Sequence, residues 1–387
     1  MPRGEREDRS AETGIGRAMR IGYYTFTFLP TLGGAEILLH GLAESLAERG
    51  HTVTVWAPRV RGSDNRVSAR YCLRRYGRPS SKRFGARQTL PRLLLETWRH
   101  RLDVLHCHGA YPDGYVGAAF KRLTGTPLVI RPHGADILPG EWIDRDVRLA
   151  ARMRRALLAA DAVVAQGEFL AERLRGLGVA SARLRVIPNG VRLSDEPVRA
   201  LPAVPRLLAV GSLTPKKGFD ILLQAFRLVQ ERVPDARLTI AGDGPEGARL
   251  RQLASALGVS DAVRFPGFVT GEAKAALFAG ARIFVSSSRR EPFANANLEA
   301  MAAGLPIVAT RVGGTIEMVG DGAIGLLVEP EDPEALAEAV LRLMDDPRQA
   351  ETMGRAARMR AKEYAWDGMV DRYEALYREV ASPARRG

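Results

Sequence analysis

Apolar and polar residues alternate along the first half of the chain in a pattern that predicts strands followed by helices. Residues 19–58 read as a strand, a glycine loop, an amphipathic helix and a second strand. The apolar residues of this helix recur at helical spacing, at Ile37, Leu38, Leu42, Leu46 and Ala47. Apolar runs that end in polar loops predict further strands, at residues 103–108, 126–134, 161–167 and 184–191. The alternation is typical of a parallel sheet with helices on both faces.

The second half repeats this pattern after a Pro-rich polar segment, residues 194–205. Six apolar runs predict strands, over residues 206–213, 236–244, 263–269, 281–288, 305–314 and 325–330. We therefore predict an α/β protein with two Rossmann-like, doubly wound parallel-sheet domains. Because open α/β sheets bind ligands beyond the carboxyl ends of their strands, we expect the active site in a cleft between the domains. The predicted limits are a disordered tail at 1–18, domains at 19–195 and 200–365, and a helix at 366–381 that crosses back to the first domain.

Composition limits the class of protein. The chain has 387 residues, 46% of them hydrophobic and 26% charged, which suits two soluble domains. No apolar run approaches the roughly 18 to 20 residues that span a bilayer, and the N-terminus lacks the apolar core of a secretory signal. Cys72 and Cys107 are too few for a disulfide framework or a zinc site. We therefore expect a cytoplasmic protein.

The net charge of +13 lies entirely in the first half, since residues 1–200 hold 33 Lys and Arg against 20 Asp and Glu. This asymmetry suggests an anionic partner, either a charged substrate or a membrane surface. Nucleic acid is disfavoured, because no helix-turn-helix, zinc-finger or RNA-binding pattern is present. The most basic segment, residues 68–101, interleaves apolar side chains, at Leu90, Leu93, Leu94, Leu95 and Trp98. Two readings stay open: peripheral contact with an anionic membrane that presents a lipid-linked acceptor, or a helix packed into the core.

Two glutamates flank a predicted helix start in RREPFANANLEAMAAG, residues 289–304. Glu291 lies in the loop after a strand, where its carboxylate suits hydrogen bonds from sugar hydroxyls. Glu299 lies about one turn into the helix, where an acceptor-only carboxylate suits the two hydroxyls of a ribose. The backbone N–H groups of Phe293 to Asn295 lie at the positive end of the helix. The pattern favours a nucleoside diphosphate sugar; the alternative is that the glutamates only cap and solubilise the helix.

Glycines and cations at other strand ends are further candidates. Gly33 and Gly34 precede a helix and either form a tight turn or let backbone N–H groups approach a phosphate. Lys217, before a glycine and a helix, is either a surface charge or a partner for a diphosphate. His133 follows Arg-Pro at a strand end, where we predict a functional role. All six histidines lie in the first half, so the second domain has none to serve as a base or a metal ligand. A structural role is predicted for the two other strand-end histidines, His106 and His108.

Taken together, these motifs resemble those of the retaining glycosyltransferases of the GT-B fold, family 4 (glycosyl transferases group 1). Glu291 and Glu299 match the family's E-x7-E motif, and LGGAE, RPHGAD, IPNGV, VGSLTPKKG, AGDGP and VGGTIEMV occur in the family's order. The resemblance covers about residues 19–380. It implies transfer of a sugar from a nucleotide donor with retention of configuration, without a metal or another cofactor. It also assigns acceptor binding to the first domain and nucleotide-sugar binding to the second.

The family's roles can be carried over by position. Glu291 would bind hydroxyls of the donor sugar near the anomeric carbon, Glu299 the ribose, and Lys217 the diphosphate. Gly34, with Gly33 before it, would approach the diphosphate, and His133 would contact and orient the sugar. His133, Glu291 and Lys217 are thus the expected catalytic residues. The remaining donor contacts implied by the resemblance are Phe268 and Val269 near the base, and the backbone N–H groups of Phe293, Ala294 and Asn295.

Two departures from the family pattern affect this assignment. Ser212 stands in the donor loop where the family often has Arg, which leaves Lys217 as the main phosphate cation. Pro292 replaces a common glycine and stiffens the sugar loop.

The resemblance favours transfer of a hexose-type sugar from a UDP-sugar, with GDP-mannose as the main rival donor. The acceptor would be a glycan, a lipid-linked molecule or a small molecule, and the protein would be cytoplasmic or peripheral at the inner face of the membrane. One alternative is a nucleotide-sugar 2-epimerase of the same fold, which has no acceptor and should not need LGGAE. Another is an enzyme like starch or glycogen synthase, but those carry Lys where this chain has Thr31. The third alternative is a non-catalytic nucleotide-sugar-binding protein.

Overall fold

A computed structural model of the chain describes residues 17–382, except residues 32, 61, 63–65, 78–84, 99–100, 195–201, 203 and 321. The chain divides into two compact units, Met1–Val163 with Glu374–Gly387, and Val164–Tyr373. The domain limits given above, and the crossing of the last helix, stay predictions. Of the predicted tail, only residues 17–18 fall within the described part of the chain.

The first sheet has seven strands in the order β3-β2-β1-β4-β5-β6-β7. The strands are β1 Arg20–Tyr24, β2 Thr52–Pro58, β3 Cys72–Tyr76, β4 Val104–Cys107, β5 Leu128–Ile130, β6 Ala162–Ala165 and β7 Leu184–Val186. Its connections carry α1 Gly34–Glu48, α2 Gly85–Thr97, α3 Asp113–Thr124, α4 Val147–Ala159 and α5 Glu168–Gly176. The pairings from β3 to β6 are parallel. The order reverses at β1, which pairs with β2 on one side and β4 on the other, so ligands are expected beyond β1 and β4.

The second sheet repeats this order with six strands, β10-β9-β8-β11-β12-β13. All six lie where the apolar runs predict them: β8 Arg206–Val210, β9 Arg237–Ala241, β10 Val263–Gly267, β11 Ile283–Ser286, β12 Ile307–Thr310 and β13 Gly325–Val328. The helices are α6 Phe219–Arg232, α7 Gly247–Ala256, α8 Gly271–Ala279, α9 Asn295–Ala302, α10 Gly314–Val319, α11 Pro333–Asp345, α12 Pro347–Ala361 and α13 Trp366–Ala381. Here the switch point lies between β8 and β11.

Side chains of the second sheet alternate between two cores, as a strand's period of two requires. Leu207 and Ala209 of β8 pack in one cluster with residues of α6, α7 and α11. Leu208, between them, packs in the opposite cluster with residues of α9, α10 and α12. The sheet is therefore covered on both faces, as predicted for a doubly wound domain.

The apolar stripe of α1 differs from the predicted one chiefly at Ile37, while Ala47 is half-buried. Leu38, Leu42 and Leu46 are buried, but Ile37 is 44% exposed. The buried stripe runs instead through Leu39. Because successive helical residues are rotated by about 100°, a stripe centred between Leu38 and Leu39 turns Ile37 toward the solvent.

The basic segment 68–101 holds strand β3, which the sequence did not predict, followed by α2. Leu93 is buried in the core, as expected for a helix that packs into the core. Leu95 and Trp98 are 74% and 77% exposed, so these two side chains do not pack into the core. In the part of the chain that the structure describes, no helix is both long enough and apolar enough to cross a bilayer.

Buried polar contacts fix the end of α13 in the first unit. Tyr377 Oη forms hydrogen bonds with His106 Nδ1 at 2.6 Å and with Tyr23 Oη at 2.9 Å. Glu374, one helical turn earlier, accepts a hydrogen bond from Arg49 at 3.0 Å. His106 is thus a structural histidine, as its place in the strand indicates.

Candidate functional site

Lys217 lies in a turn that is hydrogen-bonded to the loop after the neighbouring strand, β11. The turn follows β8 and ends at Gly218, whose φ of +60° is left-handed and suits glycine. A Cβ at Gly218 would overlap the carbonyl oxygen of Ser287. Ser287 Oγ donates to the Lys217 carbonyl at 3.0 Å, and the Arg289 N–H donates to the Lys216 carbonyl at 2.8 Å. The turn after β8 and the loop after β11 therefore meet at the switch point of the second sheet.

Lys217 and Glu291, which the sequence assigns to one ligand, are in direct contact. Lys217 Nζ forms an ion pair with Glu291 Oε2. The Glu291 side chain is only 7% exposed, and Ser288 Oγ lies 3.4 Å from the same oxygen. A carboxylate so far removed from water needs a counter-charge. Lys217, which we predict to bind the diphosphate, therefore also neutralises Glu291, which we predict to bind the sugar.

The backbone of Glu291 is held by the glycines of the VGG motif after β12. The Gly314 N–H donates to the Glu291 carbonyl at 2.9 Å. Gly313 has φ of +45°, and a Cβ there would overlap the same carbonyl. Both glycines let the loop after β12 lie directly against the Glu291 loop. This contact holds the backbone from which the Glu291 carboxylate extends.

Helix α9 begins at Asn295, between the two glutamates that flank the predicted helix start. The residue before it, Ala294, is buried and accepts the first helical hydrogen bond, from the Leu298 N–H at 3.2 Å. The Asn295 N–H donates to the Phe293 carbonyl at 3.1 Å, so this predicted donor has a partner within the chain. The Asn295 side chain accepts from Asn189 Nδ2 at 2.5 Å. These contacts fix the start of the helix on which Glu299 lies.

Glu299 has a cationic partner that sequence reasoning did not identify. Lys274 Nζ lies 2.5 Å from Glu299 Oε1. Lys274 belongs to α8, 25 residues earlier, and no local spacing rule relates the two. The sequence signal that could have identified Lys274 is its place in the chain, because α8 directly follows the loop that carries Phe268 and Val269.

The remaining predicted donor residues lie in loops beyond the strands of the second sheet. Phe268 is exposed and Val269 half-buried, just after β10. Ser212 is exposed in the loop after β8. This loop lies against the AGDGP loop, because the Gly211 N–H donates to the Ala241 carbonyl at 3.0 Å. A Cβ at position 242 would overlap the Gly211 carbonyl, which explains why this residue is glycine.

In the first unit, Gly33 caps α1 and Gly34 is its first residue. Gly33 has an extended backbone with φ of −149°, so its conformation does not require glycine. A Cβ there would instead meet the side chain of Glu36, which reaches back over the helix start. Whether these two residues bind a phosphate stays a prediction.

The backbone of His133 is fixed by a buried carboxylate. Asp136 accepts hydrogen bonds from the His133 N–H at 2.9 Å and from the Ala110 N–H at 2.5 Å. Burial raises the pKa of Asp136, although these N–H groups oppose the rise. The Asp136 side chain thus ties the loop after β5 to the loop after β4.

The imidazole of His133 is neutral near pH 7. Burial, with the positive charge of Arg131 as the next cause, holds the pKa of His133 well below its usual range. Arg131 Nη1 lies 3.4 Å from His133 Nδ1. Since a guanidinium only donates, Nδ1 accepts and Nε2 carries the proton. His133 Nε2 is buried, and the His108 carbonyl, as a hydrogen-bond acceptor for the ring, opposes the fall of the pKa.

His108 connects His133 to the start of α1, a role that sequence reasoning missed. The rings of His108 and His133 lie 4.2 Å apart, measured between centroids. His108 Nε2 lies 3.2 Å from the Ala35 carbonyl, in the first turn of α1. The sequence placed His106 and His108 at a strand end and predicted a structural role for both, but it did not indicate these contacts.

The structure also bears on metal binding. Among the described residues, no three His, Cys, Asp or Glu side chains are grouped as metal ligands. Metal independence itself stays a prediction.

Known protein families match both halves of the chain. Residues 32–195 match the family model described as Glycosyltransferase Family 4, and residues 198–360 match the model of Glycosyl transferases group 1.

One curated relative is the GDP-mannose-dependent alpha-(1-6)-phosphatidylinositol monomannoside mannosyltransferase of Mycolicibacterium smegmatis. It is 31% identical over 354 residues, which cover 86% of this chain and 91% of the relative.

Solved structures show the same fold. The sucrose-phosphate synthase of Thermosynechococcus elongatus superposes with a TM-score of 0.81 at 24% identity, covering 93% of this chain and 99% of the other. The Anabaena protein HepE, crystallised with UDP, superposes with a TM-score of 0.76 at 21% identity, covering 93% and 100%. With both halves matched by family models and a relative aligned over most of its length, the chain belongs to glycosyltransferase family 4, as a GT-B glycosyltransferase that uses nucleotide-sugar donors.

Proposed function

We propose that the protein transfers a hexose from a nucleoside diphosphate sugar to an acceptor hydroxyl, with retention of configuration and without a metal. The contact between Lys217 and Glu291 carries this proposal. It joins a cation suited to a leaving diphosphate with a carboxylate suited to sugar hydroxyls, beyond the carboxyl ends of β8 and β11. The 2-epimerase and the non-catalytic binding protein are not favoured, since the mannosyltransferase relative is by its name a transferase.

In this mechanism the C1–O bond to the diphosphate breaks as negative charge develops on the leaving oxygen. Lys217 stabilises that charge from a preorganised position. The acceptor hydroxyl attacks C1 from the same face, and its proton passes to a phosphate oxygen of the leaving group. Glu291 orients the sugar through its hydroxyls. His133, a neutral donor at Nε2, would contact the sugar, and Gly33 and Gly34 would approach the diphosphate.

The donor base is proposed to be uracil, with guanine as the rival. HepE was crystallised with UDP, whereas the Mycolicibacterium relative is by its name GDP-mannose-dependent. Phe268 and Val269, which follow β10, would lie near the base. The first unit would bind the acceptor, of glycan, lipid-linked or small-molecule type.

Calorimetric titration with UDP, GDP and ADP tests the donor site and names its base. We expect one nucleotide to bind clearly more tightly than the other two, and EDTA to leave its affinity unchanged. Glu299→Ala should weaken that nucleotide about 10- to 100-fold, since hydrogen bonds to a carboxylate are lost. Equal binding by wild type and Glu299→Ala would contradict the ribose assignment, and an EDTA-sensitive affinity would contradict metal independence.

We further propose that α2 contacts an anionic membrane, at the inner face in a cell. Leu95 on α2 and Trp98, the residue directly after this helix, expose apolar area in the basic first half. In flotation, we expect the protein to rise with vesicles that contain anionic lipid and to stay behind with neutral ones. Replacing Leu95 and Trp98 by serine should reduce the floated fraction several-fold, since both supply buried area. Val147→Ser, at an exposed residue of α4, is the control and should float as wild type. Flotation without lipid dependence would refute the contact.

A further inference from the structure

Each of the two candidate donor-binding carboxylates is held by a lysine. Lys217 pairs with Glu291, and Lys274 pairs with Glu299. Lysine is scarce in this chain, since only six of the 57 basic residues are Lys. The difference matters at a carboxylate, because the arginine fork engages both oxygens whereas an ammonium group acts as a point charge.

The contact leaves half of the Glu299 carboxylate available. Lys274 Nζ lies 2.5 Å from Oε1, while Oε2 has no hydrogen-bond partner among the described residues. The two side chains are 27% and 34% exposed, so a ligand can reach them from the solvent. Lys274 lies in the first turns of α8, which follows the loop proposed to lie near the base. Helices α8 and α9 therefore present one carboxylate with one fixed and one open oxygen.

We propose that Lys274 is a positioning residue for ribose recognition, which holds Glu299 Oε1 so that Oε2 accepts a ribose hydroxyl. This inference rests on the proposed function, since it takes Glu299 to be the ribose-binding residue. Without the lysine, the carboxylate can rotate about its side-chain bonds and loses its fixed direction. The site would then keep its affinity for the diphosphate but lose much of its preference for a ribose over a deoxyribose.

The test compares each nucleoside diphosphate with its deoxy forms. The affinities of UDP and GDP, and of their 2′-deoxy and 3′-deoxy forms, are measured by calorimetry for wild type and Lys274→Met. We expect wild type to prefer the ribonucleotide over at least one deoxy form by about tenfold or more, as for a hydrogen bond to a charged group. In Lys274→Met this ratio should fall to about threefold or less. Lys121→Met is the matched control, because Lys121 pairs with Asp161 at 2.7 Å and both are about as exposed, at 30% and 32%.

A merely structural role predicts a different result. If Lys274 only stabilised the fold, Lys274→Met would weaken ribo- and deoxynucleotides alike and leave their ratio unchanged. That outcome, with a normal ratio in wild type, overturns the inference and leaves the proposed function intact. A wild-type ratio near one, unchanged in Glu299→Gln, overturns the ribose assignment itself and the inference with it. A ratio lost in both Lys274→Met and Glu299→Gln, but kept in Lys121→Met, supports the inference.

Discussion

Replacing Lys217 by methionine is expected to lower kcat/KM about 100- to 1000-fold, the effect of removing a preorganised charge from a developing anion. Methionine keeps the length and apolar stem of the side chain but removes the ammonium group that contacts Glu291. Because the charge matters most in the transition state, kcat should fall together with kcat/KM. The measurement is initial-rate kinetics with the nucleotide sugar identified by calorimetry.

The control for this prediction lies in the same turn. Lys216 is exposed, and the substitution Lys216→Met leaves its carbonyl, which accepts from the Arg289 N–H, unchanged. We expect Lys216→Met to change kcat/KM by less than about threefold, since a surface charge is screened. Equal losses in Lys216→Met and Lys217→Met would show that general positive charge, not the contact with Glu291, supports the reaction.

A double-mutant cycle shows whether Lys217 and Glu291 act as one unit. Lys217→Met alone leaves a buried carboxylate unpaired, which costs about 1–3 kcal/mol of unfolding free energy. Adding Glu291→Gln removes that charge, so the double variant should be more stable than the sum of the single effects predicts. Activity should show the same non-additivity, because either change alone already dismantles the site. Additive effects on both quantities would mean that the two residues act independently.

The sequence predicted the second domain well because its signals are local. Each of its six strands is a short apolar run that ends in a glycine or polar loop, and each lies where it was predicted. The start of α9 was also predicted, from the change of strand to loop to helix around Glu291. The sequence assigned Glu291 and Lys217 to one donor molecule, and in the structure their side chains are in direct contact.

Contacts between distant segments explain what the sequence did not predict. Lys274 and Glu299 are 25 residues apart on different helices, and His108 reaches Ala35 across 73 residues. Strand β3 was missed because its residues, Cys72–Tyr76, include two arginines and no apolar run. It forms only at the sheet edge, through pairing with β2, where charged side chains are tolerated. Such features depend on which elements become neighbours, and periodicity carries no information on that.

Gly218→Ala is expected to destabilise the protein and to reduce its activity at the same time. Its left-handed backbone would cost alanine about 1–2 kcal/mol of unfolding free energy. Its Cβ would overlap the Ser287 carbonyl, and the required shift adds about 1–3 kcal/mol. That shift moves the Lys217 turn away from the loop that carries Glu291, so kcat/KM should fall at least about tenfold, as small misplacements at a reacting centre do. Chemical denaturation and initial-rate kinetics measure the two effects.

Gly258→Ala separates the backbone effect from the overlap. Gly258 has φ of +72°, similar to that of Gly218, but a Cβ there meets no atom within 4 Å. It lies after α7, in a different loop from Lys217. Gly258→Ala should therefore lose only the unfolding free energy that the left-handed backbone costs alanine, about 1–2 kcal/mol, and keep wild-type activity. If the two variants lose equal stability and equal activity, the close approach at Ser287 does not position Lys217, and only the lysine side chain itself would connect this turn to catalysis.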